Sequence, residues 1–301
     1  MSDQTVLYDA PGPGARVRHR IYGAAAVVVA VLVLWWVLTK FADKSQLDGA
    51  KWSPFLDWVT WKEYLLIGLR QTVIAAVISI VLAAVLGLLL GLGRMSQVRL
   101  IRWPCAVFVE FFRAVPVLLM MYFTFRLYNQ YHLFSDDFRT LAAVVTGLTF
   151  YNGSVMGEVL RSGVASLPKG QREAGLSIGL RPAQVLRSIL VPQALTAMMP
   201  ILVSQLVIVL KDTALGSAIL YDELLNWGQT LGSAQANTVP ALIVVAVIFI
   251  LLNYALTKAA GRLERRLRRR GVSKDQGGTE RDGMAGQVEG VDMRVNTQTS
   301  L

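Results

Sequence analysis

Apolar and polar segments alternate regularly along the chain. Runs with few or no charges, each long enough to cross a bilayer as a helix, occupy residues 21–38, 72–93, 107–127, 141–164, 194–210 and 239–256. The hydrocarbon core of a membrane needs about 20 helical residues, because each residue advances a helix by about 1.5 Å. The pattern predicts an all-α integral membrane protein with about six transmembrane helices.

The first apolar run has two interpretations. Arginines precede it, and a basic region followed by an apolar one is also the pattern of a secretory signal. The run of 18 uncharged residues is too long for a signal, and the Trp35–Trp36 pair suits a membrane interface better than a cleavage site. We therefore interpret residues 1–20 as a cytoplasmic N-terminal tail and residues 21–38 as the first transmembrane helix.

Lysine and arginine are distributed unevenly between the two sets of loops. One set, with both tails, holds 18 of them close to the spans: Arg16, Arg18, Arg20, Arg94, Arg99, Arg102, Arg161, Lys169, Arg172, Arg181, Arg187, Lys258, Arg262, Arg265, Arg266, Arg268, Arg269 and Arg270. The other set holds 6: Lys40, Lys44, Lys51, Lys62, Arg126 and Arg139. Because cytoplasmic loops carry the excess of positive charge, both termini are predicted to be cytoplasmic in a multi-pass plasma-membrane protein.

Composition supports a membrane protein and excludes other classes. Hydrophobic residues make up 54% of the 301-residue chain and charged residues 17%, with a mean hydropathy of +0.48. A net charge of +10 could indicate a nucleic-acid partner, but the excess lies in loops and the tail without interleaved aromatic residues, so none is predicted. A single cysteine, Cys105, excludes an internal disulfide, and with two histidines there is no basis for a Cys/His metal site.

The polar segment at residues 167–192 contains several glycines and prolines that can end or start helices. Gly179 can supply the left-handed backbone that ends a helix, and Pro182 stands where a second helix would begin. The segment is therefore predicted to form a helix, a sharp turn and another helix. Glu173 is expected near the start of the first helix, where the helix dipole favours a carboxylate. Small residues such as Gly175 would let the surface of another protein approach closely.

The order of residues in this segment resembles the EAA loop of ABC-importer permease subunits. The matching positions are Glu173, Ala174, Gly175, Gly179, Ile189 and Pro192, at the family's spacing throughout. Gly175 stands where a second alanine is usual, and Val191 stands where leucine is usual. An ordinary cytoplasmic hairpin between membrane helices is the alternative interpretation.

The resemblance implies coupling to a separate ATPase. In that family the loop forms coupling helices that sit in a groove of a cytoplasmic ABC ATPase dimer. The residues implied in this contact are Gly170, Gln171, Arg172, Glu173, Ala174, Gly175, Gly179, Ile189 and Pro192. The resemblance also implies a five-helix core of the type I importer class, here residues 64–260, with one extra N-terminal helix before it. The composition of residues 261–301, first basic and then Gly-rich and polar, predicts a basic, then disordered, cytoplasmic tail.

Charged residues lie at the inner ends of two apolar runs. Glu110 and Arg113 are three apart, as are Glu158 and Arg161, so each pair is predicted to form an ion pair on one helix face. Charges in a bilayer are costly unless they are paired or interfacial. These residues either anchor helix ends or shape an inner gate; the surrounding stretches, including Pro116, are similar to the polar-amino-acid branch of these permeases.

Lys211 and Asp212 are adjacent, so on a helix they point in different directions and cannot neutralise each other. Either the helix breaks here or each charge has a partner on another segment. With Thr213 they are similar to a Lys-Asp-Thr-Ser-Leu stretch of the same branch, with Ala214 in place of serine. A gate or packing role and direct contact with the solute both stay open. The candidate path or gate residues are Glu110, Arg113, Pro116, Glu158, Arg161, Lys211, Asp212 and Thr213.

The sequence indicates a transporter subunit without an ATPase site. The 301 residues contain no Walker A and no His-Glu-x-x-His sequence, so no enzyme activity and no bound cofactor are predicted, and Mg-ATP would be used by the partner subunit. The resemblance implies an importer of a polar amino acid of the His/Gln/Glu type, glutamate or a related one, with a second identical or homologous permease subunit and an extracytoplasmic amino-acid-binding protein. The alternative is a secondary amino acid carrier driven by an ion gradient, but the internal repeats typical of such carriers are not evident.

Overall fold

The structure, a computed structural model, describes residues 12–275. Twelve α-helices follow one another in this part of the chain: α1 Pro13–Asp43, α2 Gly49–Trp52, α3 Trp58–Thr60, α4 Leu66–Arg94, α5 Arg99–Ala114, α6 Val117–Gln130, α7 Asp136–Ala165, α8 Lys169–Ser177, α9 Pro182–Val185, α10 Val191–Asp212, α11 Leu224–Ala234 and α12 Thr238–Asp275. Short 3-10 or π-helical segments lie at Ser53–Leu56, Trp61–Leu65, Leu186–Leu190 and Thr213–Ile219. Residues 12–275 contain no strand, so the all-α prediction is confirmed for them.

Four of the helical segments are long and apolar enough to cross a membrane: Gly14–Asp43, Trp58–Arg94, Pro182–Ile219 and Thr238–Arg262. The predicted third span, 107–127, is not one straight helix, because α5 and α6 meet at an angle of 104°. Together they count as a fifth span at most. α7 covers the predicted fourth span, and its 30 residues extend about 45 Å, but it is less apolar than the other four.

The bend between α5 and α6 follows from the sequence Val115–Pro116. A residue before proline is disfavoured in the α region, and Val115 has extended backbone, with φ −81° and ψ 128°. Pro116 lacks a backbone N–H and serves as the N-cap of α6. The predicted continuous span therefore missed a break at this proline.

The helix boundaries differ from the predictions at both ends of the described chain. α1 begins at Pro13 rather than at residue 21, and α12 continues to Asp275 rather than ending near residue 260. Residues 1–11 of the predicted N-terminal tail and residues 276–301 of the tail predicted to be disordered lie outside the described residues.

The chain divides into two compact units. One contains residues 12–71 and 222–247, and the other contains residues 72–221 and 248–275. In the first unit, the indole N–H of Trp61 donates a hydrogen bond to the carbonyl of Phe55 at 2.8 Å, and the Asn237 amide donates to the carbonyl of Lys51 at 3.0 Å. The apolar span of α1 is not buried by any other part of residues 12–275, so its surface is available to lipid or to another subunit.

The second unit is held together by close packing of α4 against α7. A Cβ at Gly87 would lie 2.9 Å from the carbonyl oxygen of Gly153, and one at Gly157 would lie 3.2 Å from the backbone nitrogen of Gly91. Each helix thus presents two glycines four residues apart, which is the small-residue pattern that lets membrane helices approach at backbone distance. This contact places the C-terminal ends of α4 and α7 near each other, where Arg94 of α4 reaches Glu158 of α7.

Candidate functional site

The segment predicted to be helix, turn and helix has that structure, here named the hairpin (residues 168–192). α8 ends at Ser177, Gly179 adopts φ +85°, and Pro182 is the first residue of α9. The N–H of Leu180 donates to the carbonyl of Gly175 at 3.2 Å, and the N–H of Gly179 donates to that of Leu176 at 3.0 Å. These two bonds form a Schellman motif, so the local prediction is confirmed.

The position of Glu173 differs from the prediction. α8 begins at Lys169, so Glu173 lies in the middle of the helix, and the first turn contains no acidic residue. The helix N-terminus therefore does not account for this carboxylate. Its side chain is exposed on the surface of the hairpin.

Gly175 faces the inside of the hairpin rather than a partner protein. A Cβ at this position would lie 2.9 Å from a methyl carbon of Val185 and 3.0 Å from the Cδ1 of Ile189. The expectation that Gly175 admits another protein's surface is therefore wrong. The absent side chain lets α8 contact the second arm of the hairpin, which is formed by residues 182–190, and Ile189 contributes to the same contact.

The outer surface of the hairpin combines polar and apolar groups. The exposed predicted coupling residues are Gly170, Gln171, Arg172, Glu173, Ala174, Gly179 and Pro192. Two apolar side chains accompany them and were not predicted: Leu176 is 40% exposed and Ile178 is 76% exposed. Their signal in the sequence was the occurrence of large apolar residues in an otherwise polar, short helix. An exposed apolar tip with polar surroundings is typical of a docking surface.

A cluster of charged side chains lies at one end of the α4–α7 contact, here named the charge cluster (Arg94, Glu110, Arg113, Glu158 and Arg161). At its centre is Glu158, whose side chain is 16% exposed. Arg94 donates to Glu158 at 2.6 Å and to Glu110 at 3.2 Å, while Arg161 donates to Glu158 at 2.6 Å. Arg113 approaches the Glu158 carboxylate at 3.8 Å. The cluster joins α4, α5 and α7.

One of the two predicted ion pairs forms and the other does not. Glu158 and Arg161 pair as predicted. Glu110 and Arg113 pair across helices instead, Glu110 with Arg94 and Arg113 with Glu158. Glu158 already has two arginine contacts at 2.6 Å, and Arg94 can donate to two carboxylates at once because its guanidinium is forked.

Sequence reasoning missed Arg94 as a member of this site. It is the last residue of α4, and its side chain is only 11% exposed. Its partner Glu158 is 64 positions away in the chain, a separation that no local spacing rule covers. The available signal was the Gly-x-x-x-Gly pair at Gly87 and Gly91, which predicts close helix packing immediately before Arg94.

The hairpin is connected to the charge cluster through α7 and to the membrane helix α10. The amide of Gln193, on α10, donates to the side chain of Gln171, on α8, at 3.2 Å. The carbonyl of Ser162 on α7 accepts from the N–H of Ser166, the C-cap that precedes the hairpin. A displacement of the hairpin would therefore act on both helices.

The candidate gate at the end of α10 is a change of helix type. The α-helix ends at Asp212 and continues as a 3-10 helix from Thr213. Thr213 is buried, and its hydroxyl donates to the carbonyl of Leu210 at 2.7 Å, so this hydroxyl stabilises the helix end. Lys211 is exposed and Asp212 is half-buried. Pro116, the remaining candidate, is an exposed N-cap.

Together these features define a class of protein. Several membrane-spanning helices are packed through glycines, carry a compact helical hairpin at one end, and lack a nucleotide-binding sequence. This is the arrangement of a membrane-embedded permease component of a transport system.

The family follows from comparison with known proteins. Residues 83–269 match the family described as the binding-protein-dependent transport system inner membrane component. The chain belongs to this family. The predicted resemblance is thereby confirmed, and membership decides against the secondary-carrier alternative.

Curated relatives include amino acid permeases. The chain is 52% identical over 227 residues to the glutamate transport system permease protein GluD of Corynebacterium glutamicum, covering 75% of this chain and 83% of that protein. It is 36% identical over 200 residues to a probable glutamine ABC transporter permease protein, GlnP, of Bacillus subtilis, covering 65% of this chain and 90% of that protein. Both relatives match over most of their length.

Solved structures share the fold. An amino acid ABC transporter crystallised with histidines matches with a TM-score of 0.63 and 24% identity, covering 70% of this chain and 98% of that one. An inward-facing MetNI methionine ABC transporter matches with a TM-score of 0.55 and 19% identity, covering 70% and 97%. At these identities the likeness concerns the fold alone.

Proposed function

We propose that this chain is the permease subunit of an ATP-driven importer of a polar amino acid, with glutamate as the first candidate solute. The observation that carries this proposal is the 52% identity to a glutamate transport system permease over most of both chains. The fold and the hairpin support the class of transporter, while the choice of amino acid depends on that relative.

The hairpin is the contact point for a separate cytoplasmic ATPase dimer. Its exposed apolar tip at Ile178 lies beside exposed polar groups, including the Glu173 carboxylate, and its two arms are packed together through Gly175. A rigid hairpin can transmit a movement of the ATPase to α7 and α10, because it is connected to both. This chain transmits the movement to its membrane helices, while Mg-ATP is bound and hydrolysed in the partner subunit.

The other subunits of the importer are inferred from membership of the family. A second permease subunit, identical or homologous, would complete the path, and an extracytoplasmic binding protein would deliver the amino acid. Both termini and the hairpin face the cytoplasm in this arrangement, as the distribution of lysine and arginine predicts. The charge cluster then lies at the cytoplasmic end of the path and holds α4, α5 and α7 in register.

The transport proposal is tested with the purified complex in proteoliposomes. ATP enclosed with the ATPase domains should drive uptake of radiolabelled glutamate when the binding protein is present outside, and a matched series with glutamine, aspartate and histidine defines the solute. Uptake that persists without ATP and collapses with an ion gradient would contradict the proposal. ATP-driven uptake of another polar amino acid alone would retain the class and correct the solute.

The coupling contact is tested by copurification. Glu173→Lys reverses a charge on the exposed face of α8 and should reduce the amount of ATPase recovered with the permease, whereas Glu63→Lys reverses an equally exposed charge outside the hairpin and should not. Equal ATPase recovery for both variants and the wild type would contradict this role of the hairpin.

A further inference from the structure

We propose that the surface beside the hairpin is a binding site for an anionic phospholipid. An exposed apolar stripe on α5 contacts an acyl chain, and a cavity of about 450 Å³ binds the phosphate headgroup. The cavity is lined by the end of α4 and the following loop, by α5, by α7, and by both arms of the hairpin: Arg94, Met95, Ser96, Gln97, Val98, Arg102, Val164, Arg172, Pro182, Ala183, Val185, Leu186 and Leu190.

The cavity is strongly positive. Its lining contains arginines 94, 102 and 172 and no aspartate or glutamate. Arg94 is engaged by the charge cluster, whereas Arg102 and Arg172 form no ion pair with residues 14–262, whose side chains the structure describes. Two guanidinium groups without carboxylate partners at a shared cavity favour a phosphate, which accepts bidentate hydrogen bonds from arginine.

The acyl-chain stripe lies on the outer face of α5. Leu100 is 84% exposed, Trp103 73%, Val107 50% and Phe111 59%, and these positions recur at helical spacing along one face. The opposite face of α5 packs on α7, where Phe112 and Phe150 meet with ring centroids 4.9 Å apart. The stripe is therefore the lipid-facing side of a helix that is anchored on its other side.

The two parts are continuous in the sequence and in the fold. Arg102 lines the cavity, and Trp103 follows it on the exposed stripe. Tryptophan prefers the level of the headgroups, with its ring among acyl chains and its N–H towards water. A basic pocket between membrane helices at that level is the arrangement that binds anionic headgroups. A soluble anion would bind in the cavity, but the apolar stripe would contribute nothing to its binding.

A bound headgroup would connect two parts of the protein. Arg102 belongs to the membrane helix α5, and Arg172 belongs to the hairpin. A phosphate between them would hold the hairpin against the membrane domain. This consequence for coupling rests on the proposed function, whereas lipid binding itself does not.

The test is a lipid count on the purified permease complex. The complex is exchanged into nanodiscs of equal parts phosphatidylglycerol and phosphatidylcholine, and native mass spectrometry counts the lipids retained after release. Arg102→Gln should lower phosphatidylglycerol retention about fivefold, the effect expected for one basic contact near the surface. Arg99→Gln is the matched control, because Arg99 is an exposed arginine on the same helix outside the cavity lining, and it should change retention less than twofold. Trp103→Ala should lower retention without affecting the preference for the anionic headgroup.

Four outcomes would overturn the proposal. The first is equal loss in Arg102→Gln and Arg99→Gln, and the second is equal retention of both lipids by the wild type. The third is displacement of phosphatidylglycerol by inorganic phosphate with no effect of Trp103→Ala, which would identify a soluble phosphate as the occupant. The fourth is loss of the ATPase from Arg102→Gln with the lipid count unchanged, which would assign the cavity to an acidic side chain of that partner. Failure of ATPase copurification in the wild type would refute the proposed function while leaving the lipid count readable.

Discussion

Removal of the Glu158 carboxylate is expected to destabilise the membrane domain far more than removal of the neighbouring Glu110 carboxylate. Glu158 is the shared partner of three arginines on three helices, whereas Glu110 has one partner. Glutamine in place of Glu158 keeps one acceptor oxygen and loses the charge. Arg94, Arg113 and Arg161 would then repel one another without a central anion.

The magnitudes follow from distance and exposure. Glu158 makes contacts of 2.6 Å with both Arg94 and Arg161, and its side chain is 16% exposed. Hydrogen bonds to charged groups contribute about 1.5–3 kcal/mol each, so Glu158→Gln should cost about 3 kcal/mol. Glu110 is 70% exposed and makes a single contact of 3.2 Å, so Glu110→Gln should cost less than about 1 kcal/mol.

The assay is reversible unfolding of the purified complex in mixed micelles, followed by tryptophan fluorescence. Arg94→Met, Glu158→Gln and their double variant complete a thermodynamic cycle, and the coupling free energy between the two residues should be about 1.5–3 kcal/mol. Equal losses for Glu158→Gln and Glu110→Gln, or a coupling free energy near zero, would refute the reasoning. The cluster would then be a set of independent interfacial charges.

Three further changes test the packing and the electrostatics. Gly157→Ala should lower the free energy of unfolding by about 1–3 kcal/mol, because the new methyl would meet the backbone of α4 at 3.1–3.2 Å, while Gly23→Ala, in open space, should not. Gly175→Val should separate the hairpin arms and reduce ATPase copurification, and Gly49→Val, which meets nothing within 4 Å and lies outside the hairpin, serves as its control. Burial raises the pKa of Glu223 to about 7, outside the long apolar helices, so the folded state holds this proton more tightly than the unfolded state. Thermal stability should therefore fall as pH rises from about 4.5 to about 7, and Glu223→Gln should remove that part of the pH dependence; an unchanged profile would contradict the assignment.

Features that depend on neighbours in the chain were accessible from the sequence. Helices at the apolar runs follow from the need to satisfy backbone hydrogen bonds in lipid. The hairpin turn follows from the left-handed conformation that Gly179 tolerates and from the fixed φ of Pro182. The family resemblance was carried by residues of this segment and by the stretches around Glu110, Glu158 and Lys211, and it is confirmed by the family match.

Two further features of the fold, a helix break and a close helix contact, had local signals in the sequence. Val115–Pro116 was a signal of the break between α5 and α6, because proline restricts the residue before it, but Pro104 and Pro200 lie within continuous helices, so proline alone does not determine a break. The glycine pairs on α4 and α7 were sufficient to predict a close helix contact, although not which helices would meet.

Which charged side chains pair with each other was decided by the tertiary structure alone. Spacing along a helix brings Glu110 near Arg113, but packing brings Arg94 into reach of both Glu110 and Glu158, and these carboxylates lie 16 and 64 positions from it. The role of Gly175 was likewise decided by the second arm of the hairpin, which occupies the space that the sequence left open for a partner. Local sequence restricts backbone dihedral angles, and so it determines elements and turns. Contacts between elements depend on how helices approach each other, and only the assembled fold specifies which side chains then meet.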